Sequence, residues 1–142
     1  MNMGLMGIAA AFALAAAGSA IGIGKAGMSA IGAWKKCYAQ NKPAPFLLLT
    51  FVGAPFTQTI YGMILMNALK GAANADPGLI LGAGLFGGIG IGMSAWFQGA
   101  AAAAAADAQV STGKGFSNYL IVLGLIESVA LFVMVFVMGI VG

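Results

Sequence analysis

Four long runs of apolar residues divide the chain, and short polar segments separate them. A transmembrane helix needs about 20 consecutive, mostly apolar residues, and each run reaches that length. The pattern therefore predicts an all-α membrane protein with four transmembrane helices. These are α1 from about Met3 to Trp34, α2 from about Phe46 to Leu69, α3 from about Leu79 to Ala106, and α4 from about Ser117 to Val141.

The polar segments KKCYAQNKPAP, KGAANADPG and DAQVSTGKG hold three of the four prolines and most of the charges, as connections do. Pro55 is the exception, because it lies inside α2. Proline has no backbone N–H, so Pro55 is expected to free a carbonyl one turn earlier, near Phe51. In a membrane, such a carbonyl is tolerated only where another group satisfies it.

The two halves of the chain resemble each other. α1 and α3 are rich in glycine and alanine, whereas α2 and α4 are rich in large aliphatic residues. This predicts a duplicated two-helix hairpin, with the first hairpin in residues 1–72 and the second in residues 73–142. Small residues let transmembrane helices approach closely. We therefore expect α1 and α3 to pack against protein, on the concave side of a ring, with α2 and α4 toward lipid.

The composition and the positions of the charges give a topology. The chain is 61% hydrophobic and 6% charged, which is typical of membrane proteins. Four lysines flank the connections after α1 and α3, whereas Lys70 lies near the opposite surface; the four are Lys35, Lys36, Lys42 and Lys114. The positive-inside rule predicts a multi-pass protein of the cell membrane, with cytoplasmic loops near Cys37 and Lys114 and both termini on the non-cytoplasmic side. Nucleic acid is not expected as a partner.

The residue types limit which ligands the chain can bind. It has no histidine and a single cysteine, Cys37, so no disulfide within the chain is expected and the thiol is expected to be free and reduced. The same scarcity argues against a zinc or transition-metal site of the usual kind. We expect no organic cofactor, and oxygen atoms remain as the available ligands.

Glu127 lies in the middle of the last apolar run, LGLIESVALFVMVFVMGIVG. A carboxylate at mid-membrane costs roughly 2.5–3.5 kcal/mol on insertion scales, so such an acid indicates a functional site. At 1.5 Å per residue, Glu127 is expected about 15 Å from the cytoplasmic surface, Gln58 about 18 Å and Gln98 about 12 Å. The three polar side chains are therefore predicted to share one depth.

A polar stripe on α2 adds further oxygen atoms at that depth. Its members are spaced i, i+3, i+4 and i+7 and share one helix face: Ala54, Thr57, Gln58 and Tyr61. Taken singly, a threonine that bonds within its own helix or a glutamine that links two helices is a structural feature. Together with Glu127 they offer a carboxylate, two amide oxygens, a hydroxyl and a main-chain carbonyl beside Pro55, a set that suits a hard cation.

One negative charge suits a monovalent ion, because binding Na⁺ or H⁺ leaves the buried site neutral. A proton needs only the carboxyl group and one partner to hold it. The two glutamines and the threonine exceed that requirement, so the sequence favours Na⁺, with H⁺ as the alternative.

Four motifs carry a family resemblance: GSAIGIGKAG in α1, APFTQTIYG in α2, WFQGAAAAAAA in α3 and LIESVALF in α4. With them the chain resembles the proteolipid (K or c) subunit of V-type and A/V-type rotary ATPases, and is most similar to the sodium-translocating bacterial members. The resemblance implies that Glu127 binds the ion, and that Tyr61 hydrogen-bonds Glu127. The implied Na⁺ ligands beside Glu127 are Thr57, Gln58, Gln98 and the main-chain oxygen of Ala54.

The same resemblance implies partners and a mode of action. The family forms a homo-oligomeric rotor ring that turns against a stator a/I-type subunit, whose arginine displaces the ion, and it is joined to central-stalk subunits. Such a chain has no catalytic residues and is not an enzyme on its own, since the soluble head hydrolyses or makes ATP. The chain departs from the expected pattern where Ser128 and Val129 follow the glutamate and where Ala54 replaces a larger aliphatic residue.

Two other classes fit parts of the pattern. Small multidrug exporters also have four spans and one membrane glutamate, but they carry it in the first helix, whereas here it lies in the last. In a structural or pore-forming proteolipid, the membrane acid Glu127 would have no function. Lys25, inside α1, is expected to extend toward a membrane surface or to face the lumen of a ring rather than to pair with Glu127.

Overall fold

The computed structural model describes residues 2–72 and 74–142. Four of its helices are long and apolar enough to cross a membrane. They are α1 (Met3–Ala39), α2 (Leu48–Gly71), α3 (Pro77–Thr112) and α4 (Phe116–Val141). The prediction of an all-α fold with four transmembrane spans is confirmed.

The predicted ends of α1 and α3 were wrong, because both helices continue beyond the apolar runs, to Ala39 and Thr112. The segments KKCYA and DAQVST contain no glycine or proline, the residues that disfavour a helix most, so the helix can continue outside the membrane. A helix of 37 residues is about 55 Å long, against about 30 Å for the hydrocarbon core. The two extensions run side by side, and an exposed ion pair joins them at 3.1 Å between Lys36 Nζ and Asp107 Oδ1.

The start of α3 shows how the chain enters a span. Asp76 lies just before the helix, and its carboxylate accepts hydrogen bonds from the N–H groups of Gly78 at 2.8 Å and Leu79 at 3.1 Å. Pro77 occupies the first turn, where a missing N–H costs nothing. α3 therefore begins two residues earlier than the apolar pattern predicts.

α2 is not a continuous α-helix. It is α-helical over Leu48–Gly53 and Thr57–Gly71, with a 3₁₀ turn over Ala54–Phe56 between them. Pro55 lies in this turn and is buried. Within the turn, the backbone N–H of Thr57 bonds to the carbonyl oxygen of Ala54. The turn thus places Ala54 and Thr57 side by side at the middle of the span.

α1 and α3 lie in close contact along most of their length. A β-carbon built on glycines of either helix would fall inside the backbone of the other helix. The facing pairs are Gly7 with Gly84, Gly18 with Gly92, and Gly22 with Gly99. The predicted close packing of the two small-residue helices is therefore a backbone-to-backbone contact, which larger side chains would prevent.

Two apolar clusters fill the rest of the interior. One lies toward the C-terminal end of α1 and includes Leu48, Phe51 and Leu123. The other lies toward the N-terminal end of α1 and includes Leu65 and Met134. Residues 54–61, 94–98 and 127 lie between the two clusters along their helices. The middle of the bundle is therefore bounded by apolar side chains on both sides along the helix axes.

Lys25 contacts α3, and its Nζ lies 5.0 Å from the centre of the Trp96 ring. This distance is within the range of a cation–π interaction. The lysine therefore has a favourable neighbour within the span, on a different helix from Glu127.

Candidate ion-binding site between α2, α3 and α4

Glu127 lies near the middle of α4, and two other helices hold its carboxylate. The hydroxyl of Tyr61 on α2 donates to Oε1 at 2.6 Å. The amide Nε2 of Gln98 on α3 donates to Oε2 at 3.2 Å. Each carboxylate oxygen thus accepts a hydrogen bond from a different helix, which restrains the rotamer of Glu127.

The two glutamines continue this arrangement into the bundle, and both side chains are 0% exposed. Gln98 Nε2 also donates to the Leu123 carbonyl at 2.9 Å, while Gln98 Oε1 accepts from Gln58 Nε2 at 2.9 Å. Gln58 Nε2 also donates to the hydroxyl of Ser94 at 3.3 Å, and that hydroxyl donates to the Ile126 carbonyl at 2.8 Å. We call these side chains the polar network: Thr57, Gln58, Tyr61, Ser94, Gln98 and Glu127.

The main-chain carbonyls of α4 determine which way both amides point. A carbonyl can only accept, so the NH₂ group of Gln98 must face Leu123 and its oxygen must face α2. The NH₂ group of Gln58 must then face the Gln98 oxygen, which leaves Gln58 Oε1 on the side of Thr57. The hydrogen-bond partners therefore allow only one orientation for each of the two amides.

On the α2 side of the polar network, three oxygen atoms lie close together and share a single hydroxyl proton. Thr57 Oγ1 lies 3.0 Å from the Ala54 carbonyl oxygen and 3.0 Å from Gln58 Oε1. The hydroxyl has one proton and can donate to only one of these acceptors at a time. The other pair is then two oxygens at this distance with no proton between them, an arrangement that a cation would stabilise.

The structure brings the six predicted site residues into one place. The carboxylate of Glu127, the two glutamines, the threonine, the tyrosine and the main-chain oxygen of Ala54 are linked by the hydrogen bonds described above. Sequence reasoning did not single out Ser94. Its signal was present, because Ser94 precedes Gln98 by four residues and so shares its helix face, but serine is also common at plain helix–helix contacts.

The fold and the polar network define a multi-pass membrane protein whose candidate functional centre surrounds a single carboxylate inside the spans. Residues 81–140 match the family model for the C subunit of ATP synthase. This part of the second hairpin, which contains Ser94, Gln98 and Glu127, is therefore similar to the ATP synthase C-subunit family, the rotor proteolipids of rotary ATPases. Members of this family form oligomeric rings and are not catalytic themselves. A comparison with curated proteins gives no match.

Proposed function

We propose that the chain is the rotor-ring subunit of a V-type rotary ATPase, and that it carries Na⁺ across the membrane at Glu127, coupled to ATP hydrolysis or synthesis. The observation that carries the choice of Na⁺ is the oxygen-rich corner at Thr57, which has one proton for two acceptors at 3.0 Å. The proposed ligands are Ala54 (main-chain oxygen), Thr57, Gln58, Gln98 and Glu127.

The hydrogen bonds to Glu127 support a metal ion rather than a proton as cargo. Both neighbours of the carboxylate, Tyr61 and Gln98, act as donors. A carboxylate that binds Na⁺ keeps both of these hydrogen bonds. A protonated carboxyl group would add a donor that needs an acceptor of its own, and of its two neighbours only the Tyr61 hydroxyl can accept, by turning its proton away.

The number of spans supports the V-type assignment. α2 and α4 occupy corresponding places in the two hairpins, yet only α4 carries an acid. Near the place in α2 where an equivalent acid is expected lies Phe56, an apolar side chain that is 52% exposed. We infer that one ion is carried per four helices, and that residues 1–72 and 73–142 are two copies of one ancestral hairpin.

The partners follow from the proposed role. As the ring turns, an arginine of a stator a/I-type subunit displaces the ion from Glu127. The ends of α1 and α3 that extend beyond the membrane, near Lys36 and Asp107, offer a contact surface to central-stalk subunits on the cytoplasmic side.

Competition between Na⁺ and a carbodiimide tests the choice of ion. Carbodiimides attack the protonated carboxyl group, so Na⁺ bound at Glu127 should slow the modification and a lower pH should speed it. We expect millimolar Na⁺ to protect Glu127 in the assembled complex, as measured by mass spectrometry of the modified chain. Modification that is indifferent to Na⁺ across a wide pH range would leave H⁺ as the cargo and the glutamines as links between helices.

The orientation of the chain can be tested by thiol labelling, although Cys37 is a poor probe because it lies within α1 and is only 6% exposed. In a Cys37→Ala background, we expect an impermeant thiol reagent to label Lys114→Cys from the cytoplasmic face only. The same reagent should label Asn74→Cys from the opposite face only. The reverse result for both positions would show that the termini lie in the cytoplasm.

A further inference from the structure

Ser94 is the point at which α2, α3 and α4 are tied together beside the carboxylate. Its hydroxyl accepts a hydrogen bond from Gln58 Nε2 and donates one to the Ile126 carbonyl, and the side chain is 6% exposed. The single proton of Ser94 is committed to a carbonyl, which can only accept. Ser94 therefore presents only lone pairs to Gln58.

We propose that Ser94 is a positioning residue that sets the preference of the site for Na⁺ over H⁺, by holding the amide of Gln58 in one of its two orientations. This inference rests on the function proposed above. It concerns how the site prefers one ion, and Ser94 itself contacts neither the ion nor Glu127.

The alternative orientation of Gln58 would close the site to a cation. A flipped amide would point its NH₂ group at the Thr57 hydroxyl oxygen, which can accept a hydrogen bond while its own proton faces the Ala54 carbonyl. Its hydrogens would then lie between the oxygen atoms that the ion needs. The flipped orientation of Gln58 therefore competes with the observed one. Acceptors that face the NH₂ group in the observed orientation must stabilise it.

Two acceptors oppose the flip, Gln98 Oε1 at 2.9 Å and Ser94 Oγ at 3.3 Å. Gln98 Oε1 is also a proposed ligand, so a bound ion would compete for its lone pairs. Ser94 is not a proposed ligand, and its hydroxyl proton is donated to the Ile126 carbonyl. In the ion-bound site, Ser94 is thus the acceptor that remains committed to the NH₂ group of Gln58.

Proton binding to Glu127 does not depend on the hydrogen bond between Ser94 and Gln58. The hydrogen bonds to Glu127 come from Tyr61 and Gln98, and neither involves Gln58 or Ser94. Loss of the Ser94 hydroxyl should therefore weaken Na⁺ binding and leave the reactivity of the protonated carboxyl group unchanged. A merely structural role would instead affect both properties together.

The test compares Ser94→Ala with the wild type in the complete membrane complex. Two quantities are measured: the Na⁺ concentration that halves the rate of carbodiimide modification of Glu127, and the rate in the absence of Na⁺ as a function of pH. One hydrogen bond is typically worth about 1 kcal/mol, so we expect the half-protecting Na⁺ concentration to rise about fivefold. The pH profile without Na⁺ should match that of the wild type.

Two other serines provide matched controls. The hydroxyl of Ser128, next to Glu127, donates to the Gly124 carbonyl of its own helix at 2.9 Å. The hydroxyl of Ser29 links α1 to the Ala103 carbonyl of α3 at 2.7 Å. Ser128→Ala therefore repeats the chemical change close to the acid, and Ser29→Ala removes a bond between helices away from the site. Both should keep the wild-type Na⁺ protection.

Unchanged Na⁺ protection in Ser94→Ala would overturn the proposal, and so would an equal change in the pH profile without Na⁺. Should Ser94→Ala fail to assemble, Ser94→Cys keeps nearly the same size with a weak acceptor, and the same loss of about fivefold is expected. Na⁺ protection that is intact in the wild type and in Ser94→Cys contradicts the role of Ser94 alone. Absence of protection in the wild type contradicts the proposed function as well.

Discussion

Glu127→Gln is expected to give a protein that inserts and assembles but cannot couple ATP hydrolysis to ion transport. Removing a charge from mid-membrane relieves an insertion cost, so assembly should not suffer. The ion, in contrast, loses its counter-charge in a buried site. Leaving a buried charge without its partner costs about 3–5 kcal/mol, which corresponds to at least a hundredfold loss of Na⁺ affinity.

The hydrogen bonds of the site add a second reason for this loss. Both neighbours of Glu127 donate to it, so the NH₂ group of an amide at this position would face either the Gln98 NH₂ group, donor to donor, or a Tyr61 hydroxyl that has to turn its proton away. The measurement is ATP-driven ²²Na⁺ uptake into vesicles that contain the reconstituted complex. Ser128→Ala, one residue away, is the control that should transport normally. Full coupled transport by Glu127→Gln would refute the assignment of Glu127 as the ion carrier.

The second large effect is expected from the double variant Gln58→Leu with Gln98→Leu. It removes two proposed amide ligands at nearly constant side-chain volume and keeps the carboxyl group. We expect the Na⁺ concentration that half-protects Glu127 from carbodiimide to rise at least about thirtyfold, because two hydrogen-bonding oxygen groups are lost together, at about 1–3 kcal/mol each. Modification in the absence of Na⁺ should persist, since the carboxyl group remains available to protons.

Gln109 provides the matched control for the double variant. It lies on the same face of α3 and is 8% exposed, and its Oε1 atom has no hydrogen-bond partner among the described residues. Gln109→Leu should therefore leave Na⁺ protection unchanged. Protection that survives in the double variant would show that the amides link helices and do not bind the ion.

The sequence predicted the fold better than it predicted the ends of the helices. Hydropathy identified all four spans, because the lipid interior excludes polar backbone and demands long apolar runs. It placed the ends of α1 and α3 too early, since a helix that leaves the membrane is no longer restricted to apolar residues. Asp107 and Lys36, which mark these extensions, look from the sequence like loop residues.

The sequence also predicted which residues of the candidate site lie close together, for a different physical reason. The helical spacing on α2 placed Thr57, Gln58 and Tyr61 on one face, and depth related them to Gln98 and Glu127. Helical spacing could not show which way an amide points. That orientation depends on which carbonyls of α4 face α3, and this is a property of packing between helices. Ser94 was missed for the same reason, because its role appears only once Ile126 is beside it.

The backbone contact between α1 and α3 has a mechanical consequence. Facing glycines such as Gly18 and Gly92 leave no flexible side chains between the two helices, so the pair resists shear as a single stiff rod. In the proposed rotor, force applied near Glu127 at the outer helices would reach the protruding ends of α1 and α3 with little elastic loss. The exposed Lys36–Asp107 ion pair adds a weak link between those ends. The glycines that permit close packing are thus also expected to stiffen each copy of the chain in the proposed rotor.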